Sequence, residues 1–273
     1  MFQVSKPTTM AGSAWNILEL IFHSTVRELR KNHGNAVIGL LLSMLQAVIF
    51  VGAFYFMFMI LGMKNAKLRG DFLLYIMSGV FLFLTHNKAM SAVFGSEGST
   101  SSLLKHAPLN SFILIASAAL GALYMQTLSL LTILFLYHAL GNPVEIHDPV
   151  GAFGMLLLAW FSGVSIGMLF LAAKPWFPTA TGVVQTLYSR ANMIASGKMF
   201  VANATPGYML KLFDWNPLFH AIDQERGYVF VNYFPHHSNI TYPLILSLVF
   251  VSIGLLGEFF TRRHVSMSWG ATR

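Results

Sequence analysis

Cysteine is absent from the 273 residues. Its absence excludes disulfides and thiolate metal sites and leaves the redox compartment undetermined. Charge is scarce as well: Asp, Glu, Lys and Arg make up 10% of the chain and hydrophobic residues 55%, whereas soluble domains carry about 25% charged residues. That balance excludes an ordinary soluble domain and reads as an integral membrane protein. The 10 acidic residues are outnumbered by 17 Lys and Arg. Because most of the basic residues stand at the ends of apolar runs and form no single face, they speak for membrane orientation, and no nucleic-acid partner is expected. The pattern G-x-x-x-x-G-K-[ST] occurs nowhere, so ATP hydrolysis through a P-loop on this chain is not expected and energy must come from elsewhere. The opening MFQVSKPTTMAGSAWN lacks the basic segment, apolar core and small-residue cleavage site of a cleavable signal.

What is present is a series of long apolar runs. A bilayer core about 30 Å thick requires roughly 20 apolar residues in a helix. Runs of that length occur at 36–61, 109–138, 150–173 and 242–260, the last holding Glu258 only near its end. Residues 72–94 form a fifth, with Lys88 near enough to one terminus for its stem to carry the ammonium to the interface. The run 180–201 holds Gln185, Arg190, Asn192 and Lys198, but without it the two chain ends would lie on opposite sides. Six spans are expected. Arg27, Arg30 and Lys31 precede the first, and Arg262 and Arg263 follow the last. Basic enrichment of cytoplasmic flanks therefore puts both termini in the cytoplasm, against the pull of Lys64, Lys67 and Arg69 in the first outer loop.

Ahead of the first span, Trp15, Leu18, Phe22, Val26 and Leu29 share one side of a helical wheel, and Asn16, Glu19, His23, Arg27 and Arg30 the other. Such a helix lies along the cytoplasmic membrane surface, as an anchor or as something more. Between the second and third spans, GSEGSTSSLLKHAPLN predicts a short cytoplasmic helix over Ser101, Ser102, Leu103, Leu104, Lys105 and His106, ended by Pro108. It is either a plain connector or a docking knob that exposes two leucines. The outer stretch 206–241 is too apolar for a solvated loop and is expected to dip into the outer leaflet, packed on protein or lining a wet cavity. Within it NPLFHAIDQER predicts a helix capped by Asn216, with Pro217 in first position and His220, Asp223 and Gly227 on one face.

Three chemistries can be weighed on these residues. His220 and Asp223 with His236 and His237 are poor metal ligands: nothing fixes a third and fourth donor, and Arg226 is the nearer partner of Asp223 at i, i+3. GVSIG at 163–167 matches the serine-nucleophile pattern G-x-S-x-G, but Ser165 falls inside an apolar helix, where Gly163 and Gly167 form a packing face. A hydrolase would also need a base facing Ser165, and His86 and His138 are placed near span ends. Arg190 and Lys198, eight residues apart on one expected helix, stand about 12 Å apart on a similar face. They are either a basic track for a translocated substrate or groups satisfied by an ion pair or carbonyls.

The order of these parts resembles the ABC-2 type permeases that export capsular polysaccharide and O-antigen. NPLFHAIDQER is similar to that family's N-P-x-x-H-x-I-E-x-x-R signature, with Asn216, Pro217, His220, Ile222 and Arg226 matching and Asp223 in place of Glu. SGKMFVANATPGYM, residues 196–209, resembles the segment leading into it. The resemblance implies an all-α integral membrane fold with six transmembrane helices of ABC-2 type. A cytoplasmic segment with an amphipathic interface helix (1–34) would precede the six-span domain (35–273), and re-entrant helices between spans five and six would form a periplasmic gate. It implies a non-enzymatic permease in the bacterial inner membrane, acting as a homodimer with a pair of ABC ATPase subunits. It further implies that lipid-linked polysaccharide moves from cytoplasm to periplasm, toward periplasmic export components. ATP and Mg would be bound by the partner ATPase and no cofactor by this chain, with the helix at 101–106 resting in an ATPase groove. The alternatives are an ABC-2 exporter of a small drug or lipid and an intramembrane serine hydrolase.

Overall fold

In the computed structural model the described residues are 10–31, 36–60, 62, 71–96, 110–140 and 143–264. All regular structure among them is helical. α1 (Met10–Lys31), α2 (Ala36–Ile60), α3 (Phe72–Gly95), α4 (Ser111–Ala139) and α5 (Pro149–Ala173) are followed by α6 (Pro178–Ala195), a four-residue α7 (Gly207–Leu210), α8 (Pro217–Val229) and α9 (Thr241–His264). Five of these, α2, α3, α4, α5 and α9, are long and apolar enough to cross a membrane. The chain is a multi-pass helical membrane protein. The predicted coupling segment, 101–106, lies outside the described residues.

Caps written in the sequence set several boundaries. Asp71 accepts from the Leu73 amide at 2.9 Å, and Asp148 accepts from the amides of Val150 and Gly151 ahead of a first-turn Pro149. These side chains satisfy donors that a helix start leaves open. α3 forms the centre of the bundle, buried continuously from Leu74 to His86, with α5 packed along it and α9 on the far side of α5. The α3–α5 contact is backbone-close: a Cβ on Gly163 would stand 2.2 Å from the His86 carbonyl oxygen, and one on Gly167 2.7 Å from that of Met90. Small residues at i and i+4 are what allow membrane helices this approach.

His86 does not sit near a span end, as the sequence reading placed it; it lies in the body of α3 and joins three helices. The Ser162 hydroxyl donates to the Ala159 carbonyl at 2.8 Å, so His86 Nδ1–H donates to Ser162 Oγ at 2.9 Å, and Nε2 accepts from the Tyr188 hydroxyl at 3.1 Å. Ser165, the residue of the nucleophile-like pattern, instead donates to the Ser162 carbonyl at 2.8 Å. The histidine therefore meets a different serine one turn away, with every polar atom of the contact occupied.

α1 has three faces where the helical wheel indicated two. Trp15, Leu18 and Phe22 are exposed, as are Arg27 and Arg30. Between these faces a third runs along α4, where Ser24 is buried, Ile21 receives a hydrogen bond from Ser117, and Thr25 and Leu29 approach Gly121. The helix expected over 180–201 ends at Ala195, six residues early, because Gly197 takes a left-handed φ of +73°. α6 turns three polar side chains inward and leaves Arg190 exposed. Gln185 donates to Ser91, Tyr188 meets His86 and Asn192 accepts from Asn216, while Val183, Val184, Leu187 and Ile194 stand exposed.

Candidate functional site

The residues of NPLFHAIDQER converge on a buried knot between the end of α6, α8 and the strand-free stretch 230–240. Asn216 caps α8 as its residue type predicts, its Oδ1 accepting from the Leu218 amide at 3.0 Å. Its Nδ2 donates to Asn192 Oδ1 at 2.7 Å and to the Ala195 carbonyl at 3.0 Å, so one side chain starts α8 and ties it to the last turn of α6. Pro217 occupies the first turn, where no amide proton is needed.

Arg226 is 1% exposed. The Asp223–Arg226 pair expected from i, i+3 spacing is not formed. Nη1 of Arg226 donates to the carbonyls of Gly197 at 3.1 Å and Phe200 at 2.6 Å, and Nη2 to that of Lys198 at 2.8 Å. The guanidinium also lies over the Tyr75 ring, 4.5 Å from its centre. The planar fork thus gathers three carbonyls of the turn that follows α6, where no helical ladder pairs them all. Gly197 is required twice: for its positive φ and because a Cβ there would lie 2.6 Å from the Phe219 ring. Asp223 has other donors, the Tyr233 hydroxyl and the Ser238 hydroxyl, the latter at 2.7 Å. Burial, then the Asp223 carboxylate, pushes the Tyr233 phenol upward.

His220 staples two loops. Its Nδ1 accepts from the Asn239 amide at 3.2 Å, so Nε2 carries the proton and donates to the Asp214 carbonyl at 2.6 Å. Burial lowers its pKa, opposed by the Asp214 carbonyl and by the Asp214 and Asp223 carboxylates. Both ring nitrogens are engaged, which leaves no lone pair to offer a metal. Glu225, in the same helix, is buried with Oε2 unpartnered; burial raises its pKa well above the ordinary value, with Arg226 opposing. The knot contains no arrangement of nucleophile and base. What it can do is hold a short helix at a fixed place and angle, with Tyr208, Leu212, Trp215 and Phe234 exposed around it.

Arg190 and Lys198 do not share a face. Arg190 is exposed on α6. Lys198, past the helix end, is 3% exposed, donates to the Met193 carbonyl at 2.9 Å and lies over the Phe83 and Phe54 rings at 3.4 and 5.2 Å. The eight-residue spacing misled because it presumes a helix that Gly197 interrupts. Sequence reasoning also missed the His86–Ser162–Tyr188 contact; the available signal was a histidine inside an otherwise apolar run.

No family model matches the chain. Among curated proteins it is similar to two described as polysialic acid transport protein KpsM, both from Escherichia coli. They are 24% identical over 256 and over 258 residues, each alignment covering 90% of this chain and 95% of the relative.

Proposed function

We propose that this chain is the permease subunit of an ABC exporter that moves a lipid-linked polysaccharide from cytoplasm to periplasm. It would work in the bacterial inner membrane as a homodimer, powered by a separate pair of ATPase subunits. The observation that carries this reading is the end-to-end similarity to two proteins named for transport of polysialic acid, a polymer whose sugars bear carboxylates. The helix architecture supports it. α6, with Gln185, Tyr188 and Asn192 hydrogen-bonded inward and Arg190 among the apolar residues of its exposed side, serves as the sixth span, so that both termini are cytoplasmic. α7, α8 and their connections act as the re-entrant periplasmic gate, held in place by Asn216, Pro217, His220, Asp223 and Arg226. Arg190, exposed on α6, is the basic lining residue of the path, and Lys198 positions the turn beneath it. The exposed face of α1 rests on the cytoplasmic leaflet, and residues 101–106 dock on the ATPase. The chain itself carries no cofactor.

The serine-hydrolase reading finds no support in the geometry, since Ser165 spends its proton on a backbone carbonyl. The test is deletion of the gene, followed by measurement of surface and intracellular polysaccharide. Loss of surface polymer with accumulation of the lipid-linked form inside, both restored by the wild-type chain, is expected. Arg190→Gln is expected to lower export of an acidic polymer without changing protein yield. Normal surface polysaccharide in the deletion, accompanied by sensitivity to small lipophilic compounds, would replace this reading with that of a drug or lipid exporter.

A further inference from the structure

A groove of about 770 Å³ lies between α2, the first turns of α3 and the last turns of α4. Its longest wall runs along α2 from Met44 to Tyr55, about 16 Å at 1.5 Å per residue. Apolar side chains such as Val48, Met77 and Leu136 line it, and polarity is confined to one end, where Asp71 and Tyr137 meet. There the Tyr137 hydroxyl donates to one oxygen of Asp71 while the other accepts from the Leu73 amide. Two oxygens with about four acceptor sites between them keep room for further donors. That polar end is formed where α2 stops, α3 starts and α4 stops, so it lies at a membrane interface in either orientation of the chain. Gly52 lines the wall and adds no side chain to it; a Cβ placed there would meet nothing within 4 Å.

We propose that this groove binds a phospholipid whose headgroup bears a primary ammonium, with one hydrocarbon chain laid along Gly52 and the ammonium on the Asp71 carboxylate. A hydrocarbon chain laid along this apolar wall makes dispersion contacts over its whole length. Away from Tyr55, Asp71 and Tyr137 the lining side chains offer no donors or acceptors, so a sugar ring laid along the wall would lose its hydrogen bonds there. At the polar end, a carboxylate attracts an ammonium through charge-assisted hydrogen bonds and repels a headgroup of net negative charge. The binding is independent of the transport reading, because it concerns the protein at rest in its membrane.

The experiment uses the purified full-length protein, equilibrated with equal amounts of phosphatidylethanolamine and phosphatidylglycerol of matched chains. Native mass spectrometry then reports both the retained lipid and the oligomeric mass. Wild type is expected to retain the ethanolamine lipid several-fold over the glycerol lipid. Gly52→Phe, whose Cβ meets no protein atom, should lose the retained lipid with its oligomeric mass unchanged. Asp71→Asn keeps a residue that caps a helix as well as Asp does; it should retain lipid but lose the headgroup preference. Undiminished lipid on Gly52→Phe overturns the groove assignment, and an unchanged preference in Asp71→Asn overturns the headgroup assignment. If wild type retains no lipid and Gly52→Phe instead breaks the oligomer, a second copy of the chain fills the groove and the proposal fails.

Discussion

α2 and α3 are neighbours of nearly equal length, 25 and 24 residues, built on opposite plans. α2 is the most apolar of the five long helices, and only 22% of its most apolar stretch is buried; α3 is the least apolar, and 78% is buried. In water the order would be reversed. Lipid tails solvate leucine as well as a protein core does, so nothing drives apolar faces inward, whereas close packing and hydrogen bonds do draw small and polar residues together. α3 accordingly brings Ser78 and His86 to the centre, and α6 follows the same plan on a smaller scale. In the outer knot around α8 polar residues are again buried, but there they organise irregular backbone, which membrane depth tolerates only when its polar groups are met by protein.

The contrast can be broken most sharply at the α3–α5 contact. Gly163→Leu would drive a side chain into the His86 carbonyl, where neither backbone can yield. Overpacking costs typically 1–3 kcal/mol, and this collision with backbone is expected to exceed about 3 kcal/mol and abolish the monodisperse protein recovered by size-exclusion chromatography. Gly182→Leu on α6, where a Cβ meets nothing within 4 Å, is the matched control and should leave yield unchanged. Equal loss in both would show that glycine conformation, and not close packing, sets the difference.

Arg226→Met should follow in size. It strands the carbonyls of Lys198 and Phe200 and leaves that of Gly197 only the Phe200 amide, and hydrogen bonds to a charged group contribute about 1.5–3 kcal/mol each. A net loss of about 3 kcal/mol is expected in thermal unfolding in detergent. Arg226→Lys should recover only part of it, because an ammonium lacks the planar fork. Full recovery with lysine would mean that the charge alone matters.

Glu225 gives a smaller, pH-dependent effect. Its pKa is higher folded than unfolded, chiefly through burial. Below the unfolded value the carboxyl is protonated in both states. As pH rises above it, the unfolded chain ionises first and stability falls until the folded pKa is passed. Wild type should therefore melt lower at pH 8 than at pH 5 by more than Glu225→Gln does, and the variant should be the more stable of the two at pH 8. A wild-type pH slope equal to that of the variant would remove Glu225 as the cause.

Asn216→Ala acts locally: it loses the cap, which costs about 1 kcal/mol, together with the hydrogen bonds to Asn192 and the Ala195 carbonyl. Yield should hold while the link between α6 and α8 loosens. Limited proteolysis is expected to cut within 196–216 faster than in wild type; an unchanged cleavage rate would mean that Arg226 alone holds the two helices together.

The sequence made the long apolar helices readable because hydropathy over about 20 residues is a sum, insensitive to where each side chain points. It also made the start of α8 readable, since an Asn followed by Pro acts locally. The partners inside the knot were not readable in the same way. Asp223 and Arg226 stand three residues apart, yet Arg226 is taken by carbonyls from 197–200 and Asp223 by hydroxyls from 233 and 238. Helical spacing names neighbours on an isolated helix; a buried guanidinium goes to whichever acceptors the fold has left unmet. Lys198 was misread for a related reason, as one glycine with positive φ ended the helix on which its facing had been counted.

By itself, then, the sequence determined that this chain is a multi-pass helical membrane protein without thiol chemistry, where its apolar helices begin and end, and that a capped helix starts at Asn216. Those properties follow from composition, run length and contacts within a few residues. Only the tertiary structure decided that the least apolar long helix is the central one, that His86 meets Ser162 and Tyr188 and leaves Ser165 aside, that α6 turns Gln185, Tyr188 and Asn192 inward, and that Arg226 binds the turn after α6. Each of these depends on which polar groups remain unsatisfied after the helices pack, a quantity that exists only once residues far apart in the chain have been brought together.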